Sequence, residues 1–289
     1  MFVTVLSAAP GALTTDILRT VQGAFGGGEA HWLSGGEAAE FPVPARPDMF
    51  DHVAAEMRLL GVDVNCVPIA NRRKRVLLAD MDSTMIGQEC IDELADLAGV
   101  GEEVAAITAR AMNGEIGFDG ALEARVALLK GLDESAIARV RDERLSFPPG
   151  GRALVATMKA SGARAVLVSG GFTAFTGWVA ERLGFDEHRA NVLEVEGGRL
   201  TGTARRPYLG REAKVEALED VTAALGLTPA DALCVGDGAN DLGMIERAGM
   251  GVALHAKPAV AAAAPVRIDH GDLSALLFLQ GYRRDAFAA

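Results

Sequence analysis

Cysteine is scarce in this chain of 289 residues. Its three cysteines, Cys66, Cys90 and Cys234, lie far apart and form no C-x-x-C pair. Disulfide frameworks and structural zinc sites need cysteines at closer, regular spacings. The sequence therefore predicts neither of them, and it favours a reducing, cytoplasmic setting.

Positive charge is also in short supply. The chain has 28 Lys and Arg against 39 Asp and Glu, which gives a net charge of −11. A nucleic-acid-binding surface needs a basic patch, so we predict no nucleic-acid partner. An anionic substrate would need local positive charge from a metal ion, from a few basic residues and from helix N-termini.

Long apolar segments are missing as well. The longest uncharged stretch, residues 165–180, is too short to span a bilayer and contains glycines. The N-terminus has no basic segment before its short apolar run, so we predict no signal peptide; together these observations predict no membrane partner. Hydrophobic residues still make up 49% of the chain, which is enough for one large or two smaller globular domains.

The most informative stretch is an apolar run, residues 76–79, that leads directly into Asp80-Met81-Asp82-Ser83. Such a run predicts a buried strand of a parallel sheet. Side chains alternate along a strand, so both aspartates should leave on one side and Met81 should point into the packing. Ligands bind beyond the carboxyl ends of such strands, which makes this pair a candidate site.

Two neighbouring carboxylates repel each other unless a cation or a shared proton relieves them. Mg²⁺ prefers oxygen ligands, often one or two carboxylates together with substrate phosphates. One aspartate would then be a metal ligand and nucleophile, and the other a general acid and base. The structural alternative is a polar strand end in which Asp82 or Ser83 caps the following helix.

The pattern along the chain predicts two parts. Residues 1–70 have the order βαββαβ and resemble the ACT-type regulatory fold, and residues 71–75 form a short solvated linker. In residues 71–289, strands alternate with helices, which predicts a doubly wound parallel sheet. A block of helices at about 87–148 interrupts this alternation as an inserted cap. Farther on, residues 191–196 and 199–203 suggest a hairpin turned by two glycines.

Three further segments carry polar groups at the predicted strand ends. Ser169-Gly170-Gly171 follows a strand and precedes a helix, so its hydroxyl and N–H groups suit a phosphate, although such glycines also serve plain turns. Lys214 lies in a predicted helix, where the structural alternative is a solvated surface charge. Asp237-Gly238-Ala239-Asn240-Asp241 offers oxygen ligands, or simply an aspartate that caps the next helix.

Taken in order, these segments resemble the haloacid-dehalogenase superfamily of phosphotransferases, and within it the phosphoserine phosphatase family. The narrower resemblance also rests on Glu89, on Arg125 in the cap, and on residues 190–194 and 200–202. It covers about residues 76–279. The resemblance implies a Mg²⁺-dependent phosphatase that hydrolyses O-phospho-L-serine through an aspartyl phosphate, in the last step of L-serine biosynthesis.

The resemblance also implies a role for each matching residue. Asp80 would be the nucleophile and a Mg²⁺ ligand, and Asp82 the general acid and base with its carbonyl on the metal. Asp237 would be the third ligand, and Asp241 would support the metal shell. Lys214 would orient Asp80 and, with three other residues, hold the phosphoryl group: Ser169, Gly170 and Asn240.

The implied cap residues recognise the rest of the substrate. Glu89 would bind its ammonium group and Arg125 its carboxylate, while Met112 and Phe118 would line its apolar side. The structural alternatives are a charge at a helix N-terminus for Glu89 and a surface arginine for Arg125. The N-terminal unit is where a homodimer contact would form.

Two other functions stay open from the sequence. One is a related cap-type phosphatase or phosphotransferase that acts on another small phosphomonoester. The other is a ligand-sensing protein with an inactive catalytic domain, which the N-terminal unit suggests. The complete set of Asp80, Asp82, Lys214 and Asp237 argues against an inactive domain.

Overall fold

The computed structural model describes residues 1–112 and 115–288, apart from the side chain of Met112. Its N-terminal part follows the predicted order βαββαβ. The elements are β1 (Phe2–Ala8), α1 (Thr15–Phe25), β2 (His31–Ser34), β3 (Ala38–Val43), α2 (Phe50–Leu59) and β4 (Val62–Pro68). The strands form an antiparallel sheet with the order β2-β3-β1-β4.

Local sequence explains the limits of α1. The side chain of Thr14 accepts a hydrogen bond from the backbone N–H of Ile17 at 3.2 Å, so the helix begins with a capping residue. Gly26 ends it in the left-handed conformation, with φ at 59°, which a residue without Cβ adopts easily. The buried side of the helix packs on the sheet through Leu18 and Val21.

The other face of this sheet is covered by the rest of the chain. Val3 and Val5 belong to the same apolar cluster as Leu276 and Phe278, whereas Leu6 faces the helices of its own unit. The alternation of side chains along β1 therefore divides its residues between two cores. The N-terminal unit is built into the molecule through a buried face.

The segment that joins the two parts differs from the prediction of a solvated linker. Lys74 is only 7% exposed, and its ammonium group donates to the carbonyl of Ala230 at 2.8 Å. Arg72 donates to the carbonyl of Leu279 at 2.6 Å. The basic run in fact supplies donors for buried carbonyl groups, and its composition gave no sign of this.

The larger part is built on parallel strands, as predicted. The strands from residue 76 onward are β5 (Val76–Ala79), β6 (Arg164–Phe172), β7 (Glu187–Asn191), β8 (Leu193–Glu196), β9 (Arg199–Ala204), β10 (Ala232–Gly236), β11 (Met250–Leu254) and β12 (Val266–Ile268). The main sheet has the order β12-β11-β10-β5-β6-β7, and every pairing in it is parallel. Apolar clusters cover both faces, because Val76 and Leu78 face one and Leu77 and Ala79 the other.

One strand of this sheet was missed by the sequence analysis. Residues 187–191 form β7 at the sheet edge, and Asn191 is its last residue. The first strand of the hairpin begins only at Leu193, and it pairs with residues 199–204. The segment Glu-His-Arg-Ala-Asn has no apolar run, because an edge strand buries less of its surface, and so its pattern gave no strand signal.

The cap helices fall where the sequence predicted them. They are α3 (Cys90–Ala98), α4 (Gly101–Met112), α5 (Phe118–Leu128) and α6 (Ser135–Glu143). The β8–β9 hairpin packs against α5 and extends the cap. The core helices are α7 (Gly151–Ala160), α8 (Thr173–Leu183), α9 (Arg211–Ala224), α10 (Leu242–Arg247), α11 (Pro258–Ala263) and α12 (Ala275–Leu279). None of the helices in the described residues is long and apolar enough to cross a membrane.

Candidate active site

The carboxyl ends of three adjacent strands, β10, β5 and β6, meet below the cap and enclose a cavity of about 240 Å³. The strand ends contribute Asp80, Asp82, Ser169 and Asp237 to its wall. The cap contributes charged and apolar groups from the opposite side. This volume suits a small metabolite, since drug-sized ligands occupy cavities of roughly 300–1,000 Å³.

Lys214 is a buried cation that joins two carboxylates. Its Nζ donates to Oδ1 of Asp80 and to Oδ1 of Asp241, each at 2.5 Å, and the residue is 1% exposed. Burial by itself lowers the pKa of Lys214, but the charges of Asp241 and Asp80 raise it above its usual value. Lys214 therefore stays protonated, and the alternative of a surface lysine is wrong.

Asp82 is held by donors on both of its oxygens. Its Oδ1 accepts from the backbone N–H of Cys90 at 2.9 Å, and its Oδ2 accepts from the hydroxyl of Ser169 at 3.0 Å. Burial raises the pKa of this carboxyl group. The helix-capping interpretation also holds, because Cys90 is the first residue of α3. Met81 is fully buried, as predicted.

The Ser169–Gly171 segment interrupts the regular pairing of β6 with β7. The backbone N–H of Gly171 donates to Oγ of Ser169 at 2.8 Å. A Cβ on Gly171 would lie 2.9 Å from Oδ2 of Asp82, so a larger residue would push the carboxylate aside. The glycine therefore serves the close approach of backbone to the acid rather than a simple turn.

Asp241 is fully buried at the start of α10. It occupies the N-cap position, but its side chain makes no capping hydrogen bond. Its Oδ1 accepts from Lys214, and its Oδ2 accepts from the backbone N–H of Gly238 at 3.0 Å. A Cβ on Gly236 would lie 2.3 Å from Cγ of Asp241, so only glycine leaves room for it. Asp241 thus fixes both the lysine and the loop that carries Asp237.

Oxygen atoms of Asp80, Asp237 and Asp241 lie within 4.8 Å of one another. Burial, followed by the charge of Asp241, raises the pKa of both Asp80 and Asp237. The ammonium groups of Lys214 and Lys257, which both act on Asp237, do not balance these three carboxylates. A hard divalent cation would supply the missing positive charge, and an all-oxygen donor set matches its preference.

The two charged cap residues named by the sequence analysis line the same cavity. Oε1 of Glu89 accepts from the hydroxyl of Ser83 at 2.8 Å. Glu89 as a residue is exposed, but loss of hydration around its carboxylate and the charge of Asp82 raise its pKa to about 7. Arg125 donates through Nε to the carbonyl of Ala121 at 3.2 Å, and burial lowers the pKa of its guanidinium group.

The remaining predicted residues lie at the rim of the cavity. Phe118 faces Gly170, whose added Cβ would lie 3.6 Å from the ring, and Asn240 is half-buried on the cavity wall. The side chain of Met112 lies outside the described residues.

Several residues of the cavity wall were missed from the sequence, among them Cys90 and Lys257. Lys257 follows β11, and its charge acts on both Glu89 and Asp237. The rule that ligands gather at the carboxyl ends of parallel strands points to this loop. The sequence did not indicate Lys257, because the strand before it is short and a single lysine forms no recognisable motif.

Comparisons with known proteins agree with this geometry. Residues 77–246 match the family model of the haloacid dehalogenase-like hydrolases. A phosphoserine phosphatase from Albidiferax ferrireducens is 48% identical over 210 residues, which are 71% of this chain and 89% of that protein. The chain belongs to the phosphoserine phosphatase family.

Two other members show how far the similarity extends. A phosphoserine phosphatase from Archaeoglobus fulgidus is 46% identical over 204 residues, covering 70% of this chain and only 59% of its own length. The crystal structure of a probable phosphoserine phosphatase from Vibrio cholerae, in unliganded form, superimposes with a TM-score of 0.79 at 31% identity. It covers 99% of this chain and 88% of the other, so this family member shares the N-terminal unit as well as the core.

Proposed function

We propose that this protein hydrolyses O-phospho-L-serine to L-serine and phosphate through an aspartyl phosphate on Asp80. The observation that carries the proposal is the pairing of two chemistries in one small cavity. Asp80 and Asp82 lie on its floor, and Glu89 and Arg125 line it from the cap. A carboxylate opposite a guanidinium group matches the ammonium and carboxylate of an amino acid.

The first half of the reaction phosphorylates the enzyme. Lys214 occupies Oδ1 of Asp80, so Oδ2 is the atom that attacks phosphorus. The bond between phosphorus and the seryl oxygen breaks, and Asp82 gives its proton to that oxygen. The raised pKa of Asp82 favours the protonated form that this step needs. Serine then leaves the cavity.

The second half restores Asp80. Asp82 takes a proton from a water molecule whose oxygen attacks phosphorus, and the bond from phosphorus to Oδ2 of Asp80 breaks. Phosphate leaves, and Asp82 is again protonated for the next cycle. Ser169, which already donates to Asp82, keeps the carboxyl group aimed at the reacting atoms.

Binding of the phosphoryl group needs positive charge in an acidic cavity. Mg²⁺ would be held by Asp80, Asp237 and the backbone carbonyl of Asp82, with Asp241 supporting the ligands, and would neutralise phosphoryl charge. The protein's own phosphate ligands would be four: Ser169, Gly170, Lys214 and Asn240.

The cap would select the substrate and exclude water. Glu89 would pair with the ammonium group and Arg125 with the carboxylate, while Phe118 and Met112 would contact the side-chain carbon. A homodimer contact in the N-terminal domain, residues 1–70, stays a prediction. One sheet face there is buried in the molecule, so a contact would use the β2 edge or the outer surface of α1 and α2.

Phosphate release from a panel of esters tests the proposal. O-phospho-L-serine should have the highest kcat/KM, ahead of O-phospho-D-serine, phosphoglycolate and sugar phosphates. A higher kcat/KM for phosphoglycolate, which lacks an ammonium group, would instead support a related cap-type phosphatase. Transfer of the phosphoryl group to an added alcohol in place of water would support the phosphotransferase alternative.

A further inference from the structure

Asn191 is a buried polar residue to which the reaction above gives no role. It is 1% exposed and ends β7, and it is not among the described residues that line the cavity. Its side chain hydrogen-bonds to the backbone of two other segments. A buried amide with all of its groups engaged fixes the relative positions of the segments it joins.

The first of these segments is the bulge in β6. Val168 pairs with Arg189 and Phe172 with Asn191, so four residue steps on β6 face two on β7. The residues between must find partners outside the ladder. Nδ2 of Asn191 donates to the carbonyl of Gly170 at 2.8 Å and replaces a missing strand contact.

This hydrogen bond continues toward the acid. The carbonyl of Gly170 and the N–H of Gly171 belong to one planar peptide, so fixing the first fixes the second. That N–H donates to Oγ of Ser169 at 2.8 Å, and the hydroxyl of Ser169 donates to Oδ2 of Asp82 at 3.0 Å. A chain of hydrogen bonds with one direction of donation runs from Asn191 to Asp82.

The second segment is the loop before α9. The N–H of Leu209 donates to Oδ1 of Asn191 at 2.7 Å. The next residue, Gly210, packs against Phe118, since an added Cβ would lie 3.0 Å from the ring. The hydroxyl of Tyr208 in this loop donates to Glu123 of α5 at 2.9 Å. Asn191 therefore also holds the loop on which the cap residue Phe118 rests.

We propose that Asn191 is a positioning residue of this active site. Its amide sets the Gly170–Gly171 peptide so that Ser169 is directed at Asp82, and it sets the 208–210 loop beneath Phe118. The inference rests on the proposed phosphatase function. It predicts that loss of the amide damages the phosphoryl end of the site, whichever alcohol the phosphate carries.

Two variants test this role of Asn191. Asn191→Ala removes all three hydrogen bonds of the side chain, including the one from Nδ2 to the carbonyl of Leu209 at 3.3 Å. Asn191→Asp keeps the acceptor for the N–H of Leu209 and places an oxygen opposite the carbonyls of Gly170 and Leu209. Both should lower kcat by about ten- to a hundredfold, because small displacements of catalytic groups have effects of this size. The loss should be seen with p-nitrophenyl phosphate as well as with O-phospho-L-serine, and orthovanadate, a phosphoryl mimic, should bind at least about tenfold more weakly by calorimetry.

Asn65 provides a matched control. Its Nδ2 donates to the carbonyl of Arg267 at 2.9 Å and its Oδ1 accepts from the N–H of Arg267 at 3.0 Å, so it makes the same kind of buried bracket between β4 and β12. Asn65→Ala should lower the melting temperature as Asn191→Ala does, yet keep kcat and orthovanadate affinity at wild-type values.

The outcomes are distinct. Orthovanadate affinity and kcat within about twofold of wild type in both Asn191 variants would overturn the inference, as would equal losses in Asn65→Ala. If Asn191→Ala does not fold, Asn191→Asp alone decides. A wild-type chain that releases no phosphate from O-phospho-L-serine would instead reject the proposed function, while the orthovanadate comparison would still test Asn191.

Discussion

The ammonium group of Lys214 lies 2.5 Å from Oδ1 of Asp80, and both side chains are almost completely buried. The lysine comes from α9 and the aspartate follows β5, so the pair joins elements that are far apart in sequence. Removing the lysine would leave the charges of Asp80 and Asp241 uncompensated, at about 3–5 kcal/mol, whereas without the charge of Asp80 the lysine still pairs with Asp241. The contact fixes one carboxylate oxygen and leaves the other for chemistry.

Asp80→Asn should abolish turnover without unfolding the protein. The amide keeps the shape but cannot form an acyl phosphate, so kcat should fall by at least about ten-thousandfold. Burial and the charge of Asp241 raise the pKa of Asp80, so neutralising it should keep or raise the melting temperature. Phosphate release and a thermal melt measure both, with the exposed Asp142→Asn as the control. Turnover above one-hundredth of wild type would exclude the covalent route.

Arg125→Ala should separate two substrates. Losing one partner of a desolvated charge pair costs about 2–5 kcal/mol, or roughly thirty- to several-thousandfold in kcat/KM for O-phospho-L-serine. p-Nitrophenyl phosphate has no carboxylate and should be hydrolysed almost as before. Comparing the two substrates cancels general damage to the fold. Equal losses on both would assign Arg125 a purely structural role.

Glu89 should give the reaction an acid limb that depends on the substrate. Its pKa of about 7 means that it loses its charge as the pH falls below 7, and with it the partner for an ammonium group. The ratio of kcat/KM for O-phospho-L-serine to that for p-nitrophenyl phosphate should then fall by up to about tenfold per pH unit. In Glu89→Gln the ratio should change with pH only as far as the ionisation of the two substrates changes it, because the part that depends on Glu89 is absent.

The same shift has a defined sign for stability. The folded pKa of Glu89 lies above its ordinary value of 4.5, so the folded state holds this proton more tightly than the unfolded state. Stability should therefore decline as the pH rises from about 4.5 through 7. In Glu89→Gln the melting temperature should decline less over this pH range than it does in the wild type. An equal decline in both proteins would show that the pKa of Glu89 is not raised.

Mg²⁺ should stabilise the folded protein as well as support activity. A ligand at a hundred times its Kd adds about 2.7 kcal/mol, or several degrees in melting temperature. Asp237→Asn should lose this increase, whereas Asp142→Asn should keep it. EDTA should abolish turnover, and Ca²⁺ should inhibit because its flexible shell accepts both oxygens of a carboxylate. Full activity in metal-free buffer would reject a metal at this cluster.

Deleting residues 1–70 should destabilise the core, because the sheet of the N-terminal unit covers Leu276 and Phe278. Asp63→Ala tests the same interface with one change. Its carboxylate accepts from the N–H groups of Asp269, His270 and Gly271, at 2.8, 3.0 and 2.8 Å. Leaving these donors unpaired should cost about 2–4 kcal/mol in urea unfolding.

The control for that interface is Asp16→Ala on the exposed surface of α1, which should have little effect. A chain of residues 71–289 that melts at the wild-type temperature would show that the two parts are independent. The sequence favoured such independence, since every predicted site residue lies after residue 70.

Short-range pattern determined much of this protein. Three features depend only on neighbouring residues: the apolar run of β5, the glycines beside Asp237 and the helical spacing of the cap. They predicted the strands and helices in which they lie, and they predicted that Asp80, Asp82 and Asp237 share one edge of the sheet. These are local rules of side-chain alternation and strand direction.

Only the tertiary structure decided the rest. Contacts between segments far apart in the chain explain why Lys74 is buried and why β1 faces two cores. They also explain the positions of Asn191 and Lys257. The reason is physical: a polar side chain becomes buried when a distant backbone offers it hydrogen-bond partners. The neighbouring residues in the sequence do not indicate which distant segment that partner belongs to.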